Sequence, residues 1–533
     1  MDLEKRGQRR MTRIAGSAAA VGLLLGAAFV TGAQARHVAH RAGATPTSGG
    51  TWALRLTDPP DCLDPHKTAS ASSSETDSLI LDSLLSIDTK GHYVGDLATK
   101  YTANKAGTKI TFFLRKGVRF SNSDPFTATD VKFTFDRAIN PATKSPVAAS
   151  QLAALQATKV INPYEVELDL KTPFRPLLSN LTGSYTGILD HKVTPSCDKP
   201  IGTGIYKVQS TGAAFSDVVL VANKNHNFGP SWVHNKGVPY ITRVELKSIQ
   251  SDATAVSELL TGGIDIMNIP GTQLSRVQGN KSFVIRKTPA QNETFLEFNT
   301  AHAPFNNVAV RRAFAQLIDR NNIVKAALNG LGQGVNGPIP PAIPYYDKNA
   351  PKYMPKYNVS AAARVFQANH VTGPYTFLVF ASPDSATTAE IIQAAAAQAG
   401  VQIKIDTKSS VGDFIQAANA GTFDMLQIGY SYNDPDVLYF LLHSSQGGGK
   451  GLNWTYDTNN PQLDALLTKG RTTLQKKQIA KVYDQAQELI NKQAELIGEY
   501  DQIPLLAIRS TIKGYHTDSV GAIAFQDLYI KTK

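Results

Sequence analysis

The search for chemistry starts with the eleven histidines and two cysteines. No HExxH pair occurs, and no histidine falls in the His/Cys/carboxylate spacing of a zinc site, so no metal is expected. His226 and His234 are neighbours in sequence, but Gly229, Pro230 and Trp232 lie between them, and two surface histidines are the simpler reading. Neither GxSxG nor GxxxxGK[ST] is present, and Gly447–Gly451 (GGGKG) reads as a mobile loop. SxxK occurs at Ser196–Lys199 and Ser510–Lys513, without the SDN and KTG partners of a serine acyl-enzyme. No set of nucleophile, base and orienting group can be assembled. Neither a catalytic residue nor a cofactor is expected, and weight moves from catalysis to binding.

The cysteines, Cys62 and Cys197, bear on compartment. In an exported chain an even, sparse pair is compatible with one disulfide, the alternative being two unpaired buried thiols. A bridge requires a domain that leaves the chain near Cys62 and returns near Cys197. Residues 1–35 have the character of an export signal: a basic start ending at Arg13, an apolar run from Ile14 to Val30, and the small residues of Ala33-Gln34-Ala35. An uncleaved anchor is the other reading of that run. Arg9-Arg10 leaves both general and twin-arginine export open, and no Cys follows for lipid attachment. The protein is therefore expected on the periplasmic or extracellular side of the membrane. Residues 36–50 are small, polar and aperiodic, a flexible linker.

The 533 residues are 42% hydrophobic and 18% charged, which is globular usage and leaves room for three to four structural units. Net charge is +11, of which +3 lies in residues 1–35. The remaining +8 is too dilute to predict nucleic acid or an anionic membrane as partner. Strands are expected at Thr51–Leu56, 109–117 and 165–171, and helices at Ser74–Leu85, Val310–Leu328 and about Thr473–Leu496. Thr127 with Asp130 has the form of a capping box at a helix start. After Pro504 the pattern turns to short strands. A mixed α/β class with more than one sheet follows.

Seven segments, in order, resemble the bacterial extracellular solute-binding proteins of family 5, the peptide-type receptors of ABC importers. They are Cys62–Asp88 (CLDPHK and its helix), Leu114–Ala138 (LRKGVRF…PFTATDV), Pro200–Val208 (PIGTGIYKV), Leu259–Met267, Phe298–Arg320, Gly429–Ser445 and Asn453–Leu467. Ile205 replaces the Pro usual in the third.

The resemblance implies an α/β, two-lobed periplasmic-binding-protein type II (cluster C) fold with an extra inserted domain and a hinge of two crossing segments. Lobe I is expected at 51–85, 200–298 and 505–533, the inserted domain at 86–199 and lobe II at 299–504. Both cysteines then sit at the seam of the insertion. The implied function is capture of peptides between the lobes and delivery to a permease with its ATPase, by a monomeric receptor that is not an enzyme; the reading from another class is a secreted hydrolase on an unfamiliar α/β scaffold. In peptide-binding relatives an Asp three residues before a DPD triplet anchors the ligand's α-amine. Here the triplet is Asp434-Pro435-Asp436 and the anchor position is Ser431, which a carboxylate–ammonium bond cannot use. Either Asp434 or another carboxylate substitutes, or the solute is an oligosaccharide, opine-like compound or chelated metal. Tyr430, Tyr432 and Trp454 are candidates for the cleft wall, and Asn453 and Asn299 for polar contacts.

Overall fold

The computed structural model describes residues 46–289, 292–449, 451–473 and 475–531. The export signal and all of the linker before Pro46 lie outside the described residues. The first strand, Thr51–Leu56, is buried on both faces after its first residue. It lies in the middle of a seven-stranded sheet, parallel to Arg243–Ser248 on one side and to Ile266–Asn268 on the other. Leu505–Arg509 pairs antiparallel with Ile266–Asn268 and with the edge strand Phe283–Lys287. Asp217–Ala222 and Tyr206–Thr211 extend the far side. Trp52, Leu54 and Leu56 pack on one face, with Leu220, Leu246 and Ile508 in the same core.

The second large sheet has six strands, in the order Gly332–Gly334, Leu496–Gln502, Asn292–Phe298, Met425–Ser431, Tyr375–Phe380 and Ile403–Lys408. Asn292–Phe298 is its centre, antiparallel to both neighbours, with Glu293 opposite Tyr430 on one side and Asp501 on the other. The sequence reading assigned this strand to lobe I by starting lobe II at 299. Its pairing puts it in lobe II, and the change of lobe falls after Lys287. The FNT motif marks the end of the strand, not the boundary.

A smaller sheet of Ala98–Ala103, Lys109–Leu114, Glu165–Leu170 and Leu155–Asn162 lies between the two halves of lobe I in sequence. The helix Ala128–Ile139 packs on it, and Val131, Phe135 and Ala138 join Phe112, Val166 and Leu168 in one core. Its start is the capping box: Thr127 N donates to Asp130 Oδ2 at 2.7 Å and Thr129 N to Thr127 Oγ1 at 3.3 Å. Cys62 and Cys197 are bonded at the entry and exit of this region, and Leu63 N donates to the Cys197 carbonyl at 2.9 Å.

Two helices differ from expectation. The first is Ala71–Asp77, capped by Ser70, and it stops before the apolar run. Leu79, Ile80 and Leu81 are consecutive and all buried, which one face of a helix cannot achieve. Their backbone instead accepts hydrogen bonds from Gly204 and Tyr206. The expected helix Val310–Leu328 is two, Val308–Ala315 and Arg320–Ala326, because Asp319 caps a restart through Asn322 N at 3.1 Å.

Among the described residues the chain passes between the large sheets at Thr288-Pro289 and at Ile503-Pro504. The passages touch: Thr288 N donates to the Pro504 carbonyl at 3.0 Å.

The disulfide spans a sequence separation of 135. Replacing both cysteines by Ser is expected to cost about 2–4 kcal/mol of unfolding free energy, read by denaturant titration. A loss of a few tenths would show that the entry and exit strands hold the seam unaided.

Candidate binding site between the lobes

The strand Met425–Ser431 ends at an exposed serine paired with Asn292. The turn that follows carries the Asp-Pro-Asp triplet, and it meets the inserted domain. Asp434 accepts two hydrogen bonds from the Arg175 guanidinium, both at 2.6 Å, and a third from Asp436 N at 2.8 Å. Arg175 also donates to the Gly470 carbonyl at 3.1 Å and the Tyr483 hydroxyl at 3.2 Å, and its backbone N donates to the Arg471 carbonyl at 2.7 Å. Burial works against the guanidinium's charge, but Asp434 outweighs it and holds Arg175 more firmly protonated than usual. Beside this pair, Arg471 Nε lies 2.9 Å from Asp436 Oδ1, close as a charge but off the hydrogen-bond line. Its guanidinium stacks on Tyr439 at 3.9 Å and Phe174 at 4.9 Å. Burial pushes Asp436 up to about 6, against Arg471.

Asp434 is therefore not a substitute anchor for a ligand amine. Its oxygens are committed to Arg175, and only 8% of the residue is exposed. Three further candidates are also corrected. Asn299 donates to the carbonyls of Gly421 and Phe423, and Asn453 bonds to His443, Asp457 and Thr455, with each residue buried. Trp454 is buried against Phe414 with its indole N–H on Asn419 Oδ1 at 2.8 Å. All three brace the loops beside the sheet from within lobe II.

Tyr430 and Tyr432 are half-buried, and their hydroxyls meet carboxyls. Tyr432 donates to Glu293 Oε2 at 2.6 Å. The Tyr430 hydroxyl is buried without a partner near Glu297. Together with Glu499 and Asp501 these acids form a buried row on two adjacent strands of lobe II. Burial raises Glu297 to about 8, Glu499 to about 7 and Asp501 to about 6, and lifts Glu293 well above its usual range. Arg320, the cation among them, uses its donors on the carbonyls of Val335 and Gly498. Sequence reasoning missed this row because NETFLEF and LIGEYDQ alternate acids with apolar residues, the pattern of a half-exposed strand.

Two cavities flank Pro504. One of about 470 Å³ is bounded by lobe I, the inserted domain and the crossing segments, with Arg55, Glu75, Asp82, Asp96, Asn268 and Thr288 on its wall. The other, about 370 Å³, lies between lobe I (Asn268, Gly271, Thr272) and lobe II (Asn329, Asp384, Gln502). Both are within the size range of small-molecule sites. The fold also gathers His234, His516 and Asp527, which sequence spacing does not suggest. Their atoms bind one another: Asp527 Oδ2 accepts from His516 Nε2 at 2.6 Å and from His234 N at 2.8 Å.

Two sheet lobes, joined by a pair of crossing segments with cavities at the crossing, define a binding protein of the two-lobed, solute-capturing class. The comparisons agree. Residues 92–451 match the bacterial extracellular solute-binding proteins, family 5 middle region, and the chain belongs to this family. It is 25% identical over 472 residues to the dipeptide-binding protein of Escherichia coli K12, covering 82% of this chain and 86% of that one. It is 26% identical over 482 residues to heme-binding protein A of Haemophilus influenzae, covering 82% and 84%. The structure of the oligopeptide-binding protein AppA from Bacillus subtilis, solved with a nonapeptide, superposes with a TM-score of 0.77. That match has 22% identity and covers 91% of this chain and 100% of that one.

Arg175→Ala leaves Asp434 buried without its cation and is expected to cost about 3–5 kcal/mol in denaturant unfolding. A cost below about 1 kcal/mol would mean water already reaches the pair. For Glu297 the folded value, about 8, lies above the unfolded 4.5. The folded state therefore binds the extra proton, and stability falls as pH rises from about 4.5 to about 8. Glu297→Gln should flatten that decline in thermal midpoints measured between pH 5 and pH 8. An unchanged slope would assign the decline to the other carboxyls.

Proposed function

We propose that this protein is the receptor of an ABC importer, which captures short peptides between its lobes and passes them to a membrane permease. The observation that carries the reading is the cavity of about 370 Å³ beside the crossing of two short segments, where a solute can touch both lobes at once. Contacts to both lobes favour the closed arrangement, and a permease can then distinguish loaded from empty receptor. Family membership and the dipeptide- and oligopeptide-binding relatives support peptides as the solute. The protein returns its solute unchanged and works as a monomer on the outer side of the membrane, exported by the apolar segment Ile14–Val30.

The exposed Ser431 favours a second reading, a non-peptide solute. With Asp434 committed to Arg175, neither residue offers a free carboxylate for an α-amine at the end of Met425–Ser431. The heme-binding relative shows that the family is not confined to peptides.

Protein purified after export, then gently denatured and analysed by mass spectrometry, should release peptides. Calorimetry with defined di- to pentapeptides should give saturable heats. Release of a non-peptide compound, with no heat from any peptide, would establish the second reading instead. Ser431→Asp is expected to strengthen binding of free-amine peptides over their N-acetylated forms by about tenfold, since it adds a charge-assisted bond. Equal gains for both forms would put the peptide N-terminus elsewhere.

A further inference from the structure

The 470 Å³ cavity beside the crossing segments carries three carboxyl side chains, Glu75, Asp82 and Asp96. Glu75 belongs to the helix Ala71–Asp77 and is exposed to the cavity. Asp96, only 9% exposed, has one oxygen buried with no hydrogen-bond partner. Asp82 accepts from the Thr203 hydroxyl at 2.8 Å. None of the three forms an ion pair among the described residues. The arginine on the wall, Arg55, is already occupied by the carbonyls of Ile249 and Gln250 and by Asp252 at 2.7 Å. Arg115 Nε donates to the main-chain carbonyl of Asp96 at 3.1 Å, and Arg115 and Lys236 act on the Asp96 carboxyl only as charges, as Arg115 and His226 do on Asp82.

Ionised carboxylates confined without a counter-ion are costly, and such groups keep their protons instead. Burial accordingly pushes Glu75 up to about 7 and raises Asp82 and Asp96 as well. Much of the remaining wall is hydroxyl-bearing, with Ser78, Ser86 and Ser184. Such hydroxyls can accept from the N–H groups of a cation beside the carboxyls.

We infer that this cavity is a subsite for a cationic group of the solute, an ammonium or guanidinium, held by the carboxylates of Glu75 and Asp96. The inference rests on the receptor reading and names the chemical class of solute within it. An entering cation supplies the missing counter-charge, donates to the unpartnered oxygen of Asp96 and displaces protons from the carboxyls to solvent. Charge recognition then belongs to lobe I and the inserted domain, while lobe II presents the neutral Ser431.

The test is calorimetry on the exported full-length protein with Ala-Lys-Ala, Ala-Ala-Ala, Ala-Glu-Ala and the non-peptide cation spermidine, repeated with Glu75→Gln and Asp96→Asn. Thermal midpoints establish that each variant is folded. Ala-Lys-Ala is expected to bind at least about tenfold more tightly than the other two peptides, and Glu75→Gln to remove most of that preference. Equal affinities for the three peptides that both variants leave unchanged would overturn the subsite and leave the receptor reading in place; equal affinities that either variant weakens would seat the α-ammonium there instead. If no peptide binds, the peptide reading fails and spermidine decides. Spermidine binding weakened by either variant supports the subsite; absent or unaffected binding overturns it.

Discussion

Two sheets built from one chain can move against each other only as far as the chain between them permits. Here the passages are Thr288-Pro289 and Ile503-Pro504, held side by side by a hydrogen bond from Thr288 N to the Pro504 carbonyl. Pro504 has no N–H, so its carbonyl is the main-chain group it can offer to the neighbouring passage. Both cavities open beside this contact. A rotation of the lobes is absorbed by a handful of backbone dihedrals next to the solute, the arrangement that couples binding to closure most directly.

A further attachment constrains that rotation. The inserted domain reaches lobe II through Phe174 and Arg175, and the Arg175–Asp434 pair is fully hydrogen-bonded and nearly dry. Buried pairs of this kind add little net stability against an apolar alternative, but they punish every arrangement in which one partner loses the other. The inserted domain and lobe II therefore have a preferred mutual placement. Opening must either break this pair or keep the two together while lobe I turns away. Within lobe II, the row of carboxyls at Glu293, Glu297 and Glu499, which burial makes hold protons more tightly, adds a polar interior whose stability depends on pH.

The periodic parts of the chain were legible in the sequence. Thr51–Leu56, the capping box at Thr127 and the long helix ending near Gln493 follow from local patterning, and ordered motifs led to the family. What sequence obscured was non-local. Asp434 looked available because its partner is 259 residues away. Asn299, Asn453 and Trp454 looked like surface contacts because short polar and aromatic motifs do not reveal that their donors are used internally. Glu75 and Asp96 passed unnoticed because an unpaired carboxylate has no signature until the walls around it are known.

The order of strands in lobe I also has a consequence for how the molecule matures. Lobe II draws its sheet from one uninterrupted stretch, Asn292–Gln502, and can close as soon as that stretch is available. Lobe I cannot: Leu505–Arg509 sits between Ile266–Asn268 and Phe283–Lys287, so until the last tenth of the polypeptide arrives one edge stays unzipped. A precursor made from its N-terminus onward thus carries an unfinished amino-terminal half through most of its synthesis. Any machinery that handles the chain before it folds would meet a substrate whose own topology delays its closure.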